Sequence, residues 1–565
     1  MILKAVSKLK WTKPSSQARQ FSLTITPPVA SCNTITRNSS SLLDDFTRFC
    51  YQRDLPRAMK AMHAMQCHGV RADSVTYAEL IKCCLARHAV EEAKLVHNHV
   101  LSVLRACDSL IILRQLHCGI IKVGFESDVF VRSALIDIYA KLGELRNAEC
   151  VFNEMPTRDL VVWNSIIGGF AQNSDVDEAL NLYKRMKRAG FAADQSTLTS
   201  VLRACTGLAL LELGTQVHVH VLKYDHDLIL NNALLDMYCK CGSLEDAMSV
   251  FSRMIQKDVI SWSTMISGLA QNGYSQEALK LFESMKVSRI KPNYITIVGV
   301  LFACSHAGFV EDGWNHFKSM KKFYGIDPGR EHYSCMIDLL GRAGKLHEAV
   351  KLIHEMPYEP DAVTWRALLG ACKVHRNTDL AICAAKKILN LDPQDPGTYI
   401  LLSNIYANSQ KWDEVAEVRK TMRARGITKE PGCSWIEVNK QIHAFNVADS
   451  SHPQIDKINK HLKHLIQKLV GVGYAPDTNY VLQDLEGEQK EDSIQYHSEK
   501  LAIVFGLMSL TQGKTIRIRK NLRICGDCHT FAKLTAKMEN QTIVIRDPIR
   551  YHHFQDGNCS CGDYW

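Results

Sequence analysis

The sequence predicts an all-α solenoid, built from repeated pairs of short helices and followed by a small domain of a different kind. Two observations support this prediction. Patterns in the middle of the chain recur at a fixed spacing of 99 residues, and cysteines cluster with histidines only near the C-terminus. A chain of 565 residues also exceeds what one hydrophobic core usually holds, so an elongated array or several domains are expected.

The spacing of 99 residues appears in three separate patterns. Trp163 of VVWNSIIGGFAQN returns as Trp262 of VISWSTMISGLAQN, and SALIDIYAKLG returns as NALLDMYCKCG at the same distance. TSVLRAC and VGVLFAC repeat the spacing a third time. Each block holds three sub-units of about 31 to 35 residues, which is the length of known helical repeats. Such short helical pairs cannot bury their apolar faces alone, so they are expected to stack into a superhelix with a long concave surface.

The sub-unit from Leu160 to Asp194 shows why each unit is interpreted as two helices joined by a turn. Gly190 follows the second helix as a stop signal. The residues at helical spacing on one face of that helix are Val176, Ala179, Tyr183 and Met186.

These units resemble pentatricopeptide repeats, and the alternation of their lengths resembles the plant PLS class, in which long, short and standard motifs rotate. The resemblance covers residues 129–361. It implies that each repeat binds one base of single-stranded RNA through its fifth and its last residue. The implied pairs are Ser133 with Asp159, Asn164 with Asp194, Asn232 with Asp258, Ser263 with Asn293, and Ser334 with Asp361.

By the code of this family the pairs imply the bases G, U, U, A and G, in that order from 5′ to 3′, while the long repeats at 195–227 and 294–329 are not assigned a base. Short amide and hydroxyl groups would meet the base edge, and neighbouring apolar residues would sandwich its face. Two alternatives remain open. Polar residues at these positions can act as helix caps alone, and helical repeats of the tetratricopeptide type form peptide-binding scaffolds.

The first 43 residues contain no Asp or Glu but carry Lys, Arg, Ser and Thr. This composition predicts an organellar transit peptide at 1–40, with a disordered basic tail as the alternative. The lysine-rich leader favours the mitochondrion over the chloroplast. Residues 41–128 are interpreted as truncated N-terminal repeats, because repeat material is missing around Leu101 and Ser102 when the stretch is compared with the repeat at Ser200.

Net charge and cysteine distribution give further information about the partner and the cellular compartment. The chain has 68 Lys and Arg against 59 Asp and Glu, and a net charge of +9 suits a polyanionic partner. Sixteen of the 20 cysteines are scattered from Cys32 to Cys433 as small hydrophobic residues, which indicates a reducing compartment. Cys239 and Cys241 are therefore expected to pack in the core. No apolar run is long enough to span a membrane, because AIVFGLM at 502–508 is too short.

Beyond the repeats, residues 362–428 and 429–470 resemble the E motifs and the E+ extension of plant organellar RNA-editing factors. Residues 471–565 contain YHSEKLAIVFGL, KNLRICGDCHTFAK and RYHHFQDGNCSCGDYW, and they resemble the DYW domain of those factors. The resemblance implies a small α/β domain, an α-β-α sandwich of the zinc-dependent cytidine deaminase type.

The residue types in this tail match a known chemistry. Zinc deaminases combine an H-x-E segment with a later C-x-x-C, in which one His and two Cys bind Zn²⁺, the fourth position is left to water, and the Glu transfers protons. His497, Cys525 and Cys528 supply this ligand set, and Glu499 supplies the proton-transferring group. Two thiols separated by two residues at the start of a helix can face one ion and are kept ionised by the helix dipole.

The resemblance also implies a second, structural zinc, so that two Zn²⁺ ions per chain are expected. Its ligands would be His529, His552, Cys559 and Cys561. His553 is the alternative to His552, and His552 is favoured.

Three rival interpretations compete for these residues. CGDCH contains C-x-x-C-H, the c-type haem attachment pattern, but that leaves HSE and CSC unexplained. A thioredoxin-like redox pair requires a preceding strand in a βαβ unit, for which KNLRI gives little signal. A purely structural zinc site is the third rival.

The sequence as a whole predicts C-to-U editing of an organellar transcript, in which the repeats bind single-stranded RNA and the tail deaminates one cytidine 3′ of the bound segment. The resemblance also implies multiple organellar RNA editing factor proteins as further partners. The alternative is an RNA-binding specificity factor without catalysis, whose zinc-stabilised tail recruits a deaminase in trans.

Overall fold

Short helices joined by tight turns make up most of the protein. The computed structural model describes residues 36–52, 54–67, 80, 109–123, 128–173, 175–224, 227–428, 431–439, 441–447, 451–477 and 494–564. The chain divides into two compact units, Met1–Leu142 and Gly143–Trp565. Most of the predicted transit peptide and the predicted repeat loss near Leu101 lie outside the described residues. No helix in the described ranges is long and apolar enough to cross a membrane.

The first unit contains four described helices, which are α1 (Thr36–Tyr51), α2 (Leu55–Cys67), α3 (Leu110–Val123) and α4 (Val129–Lys141). The second unit begins with the second helix of a repeat and continues in helical pairs. Its helices before the sheet are α5 (Leu145–Asn153), α6 (Leu160–Gln172), α7 (Val176–Arg188), α8 (Gln195–Leu208), α9 (Leu211–Val221), α10 (Leu228–Lys240), α11 (Leu244–Arg253), α12 (Val259–Gln271), α13 (Ser275–Val287), α14 (Tyr294–Ala307), α15 (Val310–Ser319), α16 (Arg330–Arg342), α17 (Leu346–Glu355), α18 (Ala362–Val374), α19 (Thr378–Leu391), α20 (Pro396–Asn408) and α21 (Trp412–Ala424).

The predicted helical pairs are confirmed. Helices α6 and α7 form the pair expected between residues 160 and 194, and α7 buries Val176, Ala179 and Met186 on the predicted face while Tyr183 is partly buried. Gly190 follows the end of α7 with a positive φ of 86°, a conformation that favours glycine and ends a helix. The first helices of successive repeats, α6, α8, α10 and onward, pack against one another and form one layer of the solenoid.

The spacing of 99 residues marks equivalent core positions. Trp163 and Trp262 are both buried, and each packs edge-on against an aromatic ring of the preceding helix, Phe152 at 4.8 Å and Phe251 at 5.1 Å between ring centroids. Cys239 is also buried, and burial raises the pKa of its thiol to about 12, so it packs as an un-ionised core group.

The C-terminal region is a six-stranded mixed sheet with helices, which confirms the predicted α/β fold. Strand order is β2-β1-β3-β4-β5-β6, with β3 and β4 parallel and the other neighbours antiparallel. The strands are β1 (Cys433–Val438), β2 (Gln441–Asn446), β3 (Ile516–Lys520), β4 (Ile543–Arg546), β5 (Tyr551–Gln555) and β6 (Asn558–Cys559), and the helices are α22 (Ile455–Val470), α23 (Ser498–Ser509) and α24 (Gly526–Met538).

The three helices of this region contact one another, and α23 packs on β1 to β3 while α24 packs on β5. Alternate residues such as Ile516, Ile518 and Ile545 point into the core that the helices share with the sheet. Helix α24 connects the parallel strands β3 and β4, so a strand does precede C-x-x-C in a βαβ unit, contrary to the expectation from KNLRI. A site at this point lies at the carboxyl ends of parallel strands, a common place for functional groups in α/β folds.

Candidate metal centres and RNA interface

The H-x-E and C-x-x-C segments meet in space and form what we call the first cluster, His497, Glu499, Cys525 and Cys528. One potential ligand atom from each residue lies within 4.8 Å of those of the others. The Nδ1 atom of His497 is 3.6 Å from the Sγ of Cys525 and 3.4 Å from the Sγ of Cys528. An imidazole and two thiols that converge on one point are a donor set that suits Zn²⁺.

Two helix N-termini converge on the first cluster. His497 is the N-cap residue of α23, and Cys525 is the N-cap residue of α24, where its Sγ accepts the backbone N–H of Cys528 at 3.4 Å. The positive ends of both helix dipoles therefore face the cluster and favour negative charge there. A hydrogen bond from Cys528 and one from His497 outweigh burial and lower the pKa of the Cys525 thiol to about 5. The cluster is thus prepared to hold a thiolate.

Glu499 is fully buried beside the three ligand-type residues, and Lys520 at the end of β3 forms an ion pair with its Oε1. Burial alone would raise the pKa of this carboxyl group, but the ammonium of Lys520 and the imidazole of His497 lower it. Ser498 donates a hydrogen bond of 3.1 Å to Oε2. One oxygen of the Glu499 carboxylate is thus already paired with an ammonium group.

A second buried ion pair connects α23 with α24. The Nζ of Lys500 lies 2.7 Å from the Oδ2 of Asp527, with both side chains at most 1 % exposed. Lys500 also donates to the carbonyl oxygen of Ile494, and the hydroxyl of Tyr474 donates to Asp527 at 2.8 Å. Lys500 is next to Glu499 and Asp527 is next to Cys528, so the pair fixes both helix starts relative to each other.

We expect Lys500→Met to reduce the free energy of unfolding of the C-terminal domain by about 3–5 kcal/mol, because it leaves the charge of Asp527 buried and unpaired. Urea unfolding of the full chain, followed by a probe in residues 471–565, measures this loss. Lys514→Met removes a charge from an exposed position of the same domain and serves as the control. A loss below about 1 kcal/mol for Lys500→Met, the range of surface pairs, would contradict the prediction.

The second cluster consists of His529, His552, Cys559 and Cys561, whose potential ligand atoms also lie within 4.8 Å of one another. The Nε2 of His529 is 3.2 Å from the Sγ of Cys561, and the Nδ1 of His552 is 3.7 Å from the Sγ of Cys559. The neighbouring His553 points elsewhere, with its Nε2 2.8 Å from the amide oxygen of Asn272. Four thiol and imidazole donors form a set typical of a closed structural zinc site.

Each histidine of the second cluster has a carboxylate on its other ring nitrogen. The Nδ1 of His529 is 3.7 Å from Asp563, and the Nε2 of His552 is 3.5 Å from Asp547. Burial would raise the pKa of Asp547, but its contact with His552 and the backbone N–H groups of residues 549 and 550 lower it. A carboxylate that accepts a hydrogen bond from a ligating histidine fixes the ring and its tautomer, and these two carboxylates lie at or just beyond hydrogen-bond distance. Sequence reasoning missed both carboxylates, although their positions close to the cluster residues in sequence were a usable signal.

The two clusters divide the CGDCH motif between them. Cys525 and Cys528 face His497, whereas His529 faces Cys561. This geometry disfavours a haem attachment site, in which the two thiols and the following histidine serve one cofactor. It equally disfavours a simple redox pair, because the thiols share an imidazole and a buried carboxylate.

The fifth and the last residue of one repeat meet at the start of the next repeat's first helix. Asn164 donates to both oxygens of Asp194 at 3.0 Å, and Asn232 donates to Asp258 at 3.2 Å. The hydroxyl of Ser263 lies 3.5 Å from the Oδ1 of Asn293. Ser334 instead contacts Thr364, which donates to Asp361. Ser133 and Asp159 lie in different units.

The last residue of each pair is also a helix cap, as the alternative interpretation predicted. Asp194 accepts the backbone N–H of Thr197 at 2.8 Å, and Asp258 accepts that of Ser261 at 2.8 Å. Hydrogen bonds from Ser261 and Asn232 outweigh burial and lower the pKa of Asp258. One carboxylate thus caps a helix and orients the amide of the preceding repeat, so the two interpretations are compatible.

A row of exposed apolar residues accompanies these pairs. The sequence analysis expected apolar neighbours but did not identify their positions. Five first helices of the second unit carry an aliphatic side chain at their second residue that is about half exposed or more. They are Val161 at 50 %, Ile229 at 60 %, Ile260 at 49 %, Ile295 at 53 % and Val363 at 57 %. Side chains of this kind at the period of the repeat offer apolar surfaces against which the faces of bases can stack.

Several parts of the chain match known protein families. Residues 473–565 match the DYW family of nucleic acid deaminases, and residues 375–437 match the E motif. Pentatricopeptide repeat families match at residues 130–160, 158–207, 232–259, 257–306 and 324–357.

Relatives from Arabidopsis thaliana share most of the chain. A mitochondrial pentatricopeptide repeat-containing protein is 62 % identical over 612 aligned positions, which cover 94 % of this chain and 97 % of the relative. The alignment is longer than the 565 residues of this chain, so the relative has segments without a counterpart here. The chloroplastic protein CRR2 is 40 % identical, with 88 % of this chain and 74 % of that protein covered.

Among solved structures, the pentatricopeptide repeat protein PPR10 in complex with an 18-nt psaJ RNA element is similar to this chain with a TM-score of 0.51. The match covers 69 % of this chain and 61 % of that chain at 17 % sequence identity. At this level of identity the similarity shows the helical-repeat fold.

Proposed function

Because the chain belongs to the pentatricopeptide repeat family, in its PLS class with an E motif and a C-terminal DYW deaminase domain, we propose that it is a site-specific editing factor. Its repeats bind a single-stranded organellar transcript, and its C-terminal domain converts one cytidine to uridine. The reaction consumes water and releases ammonia. The observation that carries this proposal is the first cluster, where an imidazole and two thiols meet beside a buried carboxylate.

The residues of the first cluster would divide the chemistry among them. His497, Cys525 and Cys528 would hold Zn²⁺, which when bound supplies an activated water for the attack on C4 of cytosine. Glu499 would carry a proton to the ring nitrogen and assist the departure of ammonia. Lys520 keeps Glu499 in place and ionised before the reaction. The second cluster would hold a structural Zn²⁺ and keep the C-terminal strands attached to α24.

The repeats would determine which RNA sequence is bound. Single-stranded RNA suits this role, because an unpaired base can be bound at its edge and because the target base can enter the deaminase pocket without the energy of opening a duplex. The paired side chains at the starts of the first helices would read base edges. The exposed aliphatic residues beside them would contact base faces.

The purified full-length protein tests this proposal. It is incubated with a synthetic RNA that carries G, U, U, A and G at the positions assigned to the five pairs, followed by cytidines, and the product is sequenced. An RNA with the same bases in permuted order is the control. We expect the protein to bind and convert the first RNA in preference to the second. Conversion of neither RNA, with zinc present and RNA bound, would instead support a non-catalytic factor that recruits a deaminase, and indifference to base order would support a peptide-binding scaffold.

Asn164→Ser turns the pair with Asp194 into the Ser and Asp combination assigned to G. We expect the preference at this one position to move from U towards G by about tenfold, which corresponds to ~1.4 kcal/mol of discrimination. Binding titrations with RNAs that differ only at this base measure the change. Asn181→Ser, at an exposed position of the second helix α7, is the matched control. An equal loss of affinity for all four bases would show that Asn164 has only a structural role.

We also place the protein in the mitochondrion, with the chloroplast as the alternative. The basic leader without acidic residues supports an organelle, and the mitochondrial relative at 62 % identity supports the choice. Multiple organellar RNA editing factor proteins remain proposed partners. Sequencing organellar transcripts from a line that lacks this protein would identify the edited cytidine and the organelle together.

A further inference from the structure

One face of the C-terminal sheet is covered by the repeats instead of by helices of its own domain. Along β3 to β5, the residues between the core residues point to this face and reach the C-terminal ends of first helices. Arg519 donates to the carbonyl oxygen of Gly207, near the end of α8. Tyr551 donates to the carbonyl oxygen of Lys240 at the end of α10. Arg546 donates to the same oxygen at 3.3 Å.

The next two first helices continue the pattern. At the end of α12, Asn272 contacts the imidazole of His553, and a Cβ on the neighbouring Gly273 would lie 2.8 Å from the carbonyl oxygen of Ser560. At the end of α14, an Nη1 of Arg550 lies 3.0 Å from the Nδ1 of His306, and both side chains are almost fully buried. The sheet thus contacts four consecutive first helices at the same end.

Physical chemistry explains why basic and hydroxyl groups face these ends. The last carbonyl groups of a helix have no partner within the helix, and the helix dipole makes this end negative. Residues 473–565 contain five arginines, and three of them form hydrogen bonds with residues of the repeats. These three are Arg519, Arg546 and Arg550.

The opposite ends of the same helices carry the residues proposed to bind RNA. In α12, Ser263 is near the start and Asn272 follows the end, about 14 Å away at 1.5 Å per residue. One rigid helix therefore contacts the deaminase domain at one end and would contact a base at the other. The length of the first helices sets the separation between the two.

We infer that this sheet face is an intramolecular docking surface that determines which nucleotide reaches the first cluster. Arg519, Arg546, Tyr551 and His553 are positioning residues, which hold the deaminase domain at a fixed place on the repeats. The inference rests on the proposed function, because it assigns the choice of the edited position to this surface. A linker alone would let the domain reach several neighbouring cytidines.

The test uses the full-length double variant Arg519→Glu/Arg546→Glu. Lys514→Glu/Lys537→Glu, at two exposed positions of the same domain, makes the same change in charge and is the control. Three quantities are measured in each protein: zinc content, affinity for the matching RNA, and backbone amide exchange of residues 206–210 and 238–243, at the two helix ends that Arg519 and Arg546 contact. An RNA with five consecutive cytidines after the bound segment reports the position and the rate of conversion.

In the double variant we expect amide exchange of both segments to rise at least about tenfold, with zinc content and RNA affinity unchanged. Conversion at the position used by the unaltered protein is expected to fall by at least about tenfold, because small displacements of reacting groups are costly, while neighbouring cytidines gain product. The control should match the unaltered protein in every measurement.

Other outcomes would overturn the inference. Increased exchange with conversion unchanged in position and rate would show that docking does not position the domain. Faster conversion at the original position would make the contact inhibitory. Exchange that is already fast in the unaltered protein would show that the surface is not docked in solution, and this result does not depend on catalysis. Absence of conversion by the unaltered protein would instead count against the proposed function, and amide exchange alone would then decide whether the surface docks.

Discussion

Glu499→Gln is expected to slow cytidine conversion by about 10²–10⁴-fold, the usual contribution of a positioned acid or base. The amide keeps the shape of the side chain but cannot carry the proton. Glu499→Ala should abolish conversion, and in both variants Lys520 loses the charge of its buried partner. Single-turnover conversion of a saturating RNA measures the loss, while zinc content and RNA affinity should remain those of the unaltered protein.

Glu539→Gln, just beyond the other end of α24, is the matched control and should leave the rate unchanged. Conversion by the purified Glu499→Gln or Glu499→Ala protein at the original rate would refute the role assigned to this carboxylate. Loss of zinc together with activity would mean that Glu499 supports the metal site and would leave the proton transfer to another group.

Cys561→Ser is expected to lower the zinc content from about two ions per chain to about one and to destabilise the C-terminal domain by several kcal/mol. A structural zinc site contributes about 10–16 kcal/mol of apparent binding energy to folding, and loss of one thiolate removes a large part of it. Elemental analysis gives the number of ions, and thermal unfolding followed within the domain gives the destabilisation.

His553→Gln is the control for this experiment, because His553 is adjacent to His552 in sequence but faces Asn272. It should retain both ions. A Cys561→Ser protein that also retains two ions would show that the second cluster is not a zinc site. Loss of zinc in His553→Gln but not in His552→Gln would reverse the choice between the two histidines.

The sequence was informative where the chemistry is local. Two thiols separated by two residues define one helix start, so the spacing alone assigns Cys525 and Cys528 to the same centre. His497 and Glu499 followed from the deaminase pattern. The helical pairs could likewise be predicted, because the spacing of apolar residues within one helix is visible in sequence.

Contacts between distant segments could not be predicted in this way. Lys520 gives no sign in sequence that it pairs with Glu499, and Asp527 gives none that it pairs with Lys500, because each pair forms only when the sheet and the helices have assembled. The same holds for β3, in which isoleucines alternate with basic residues. The sequence does not show that the isoleucines face the core of the domain while the basic residues face the repeats. The contact of Arg546 with Lys240 joins residues about 300 positions apart.

Cys528 and His529 are joined by one peptide bond, yet they face different clusters. Occupation of one centre by zinc, as proposed, would therefore restrict the backbone that presents a ligand to the other, and the two binding free energies would be coupled reciprocally. The second ion to load would encounter a site already ordered by the first, so zinc uptake should be cooperative. Under metal scarcity, molecules of this protein would then tend to be either fully loaded or empty.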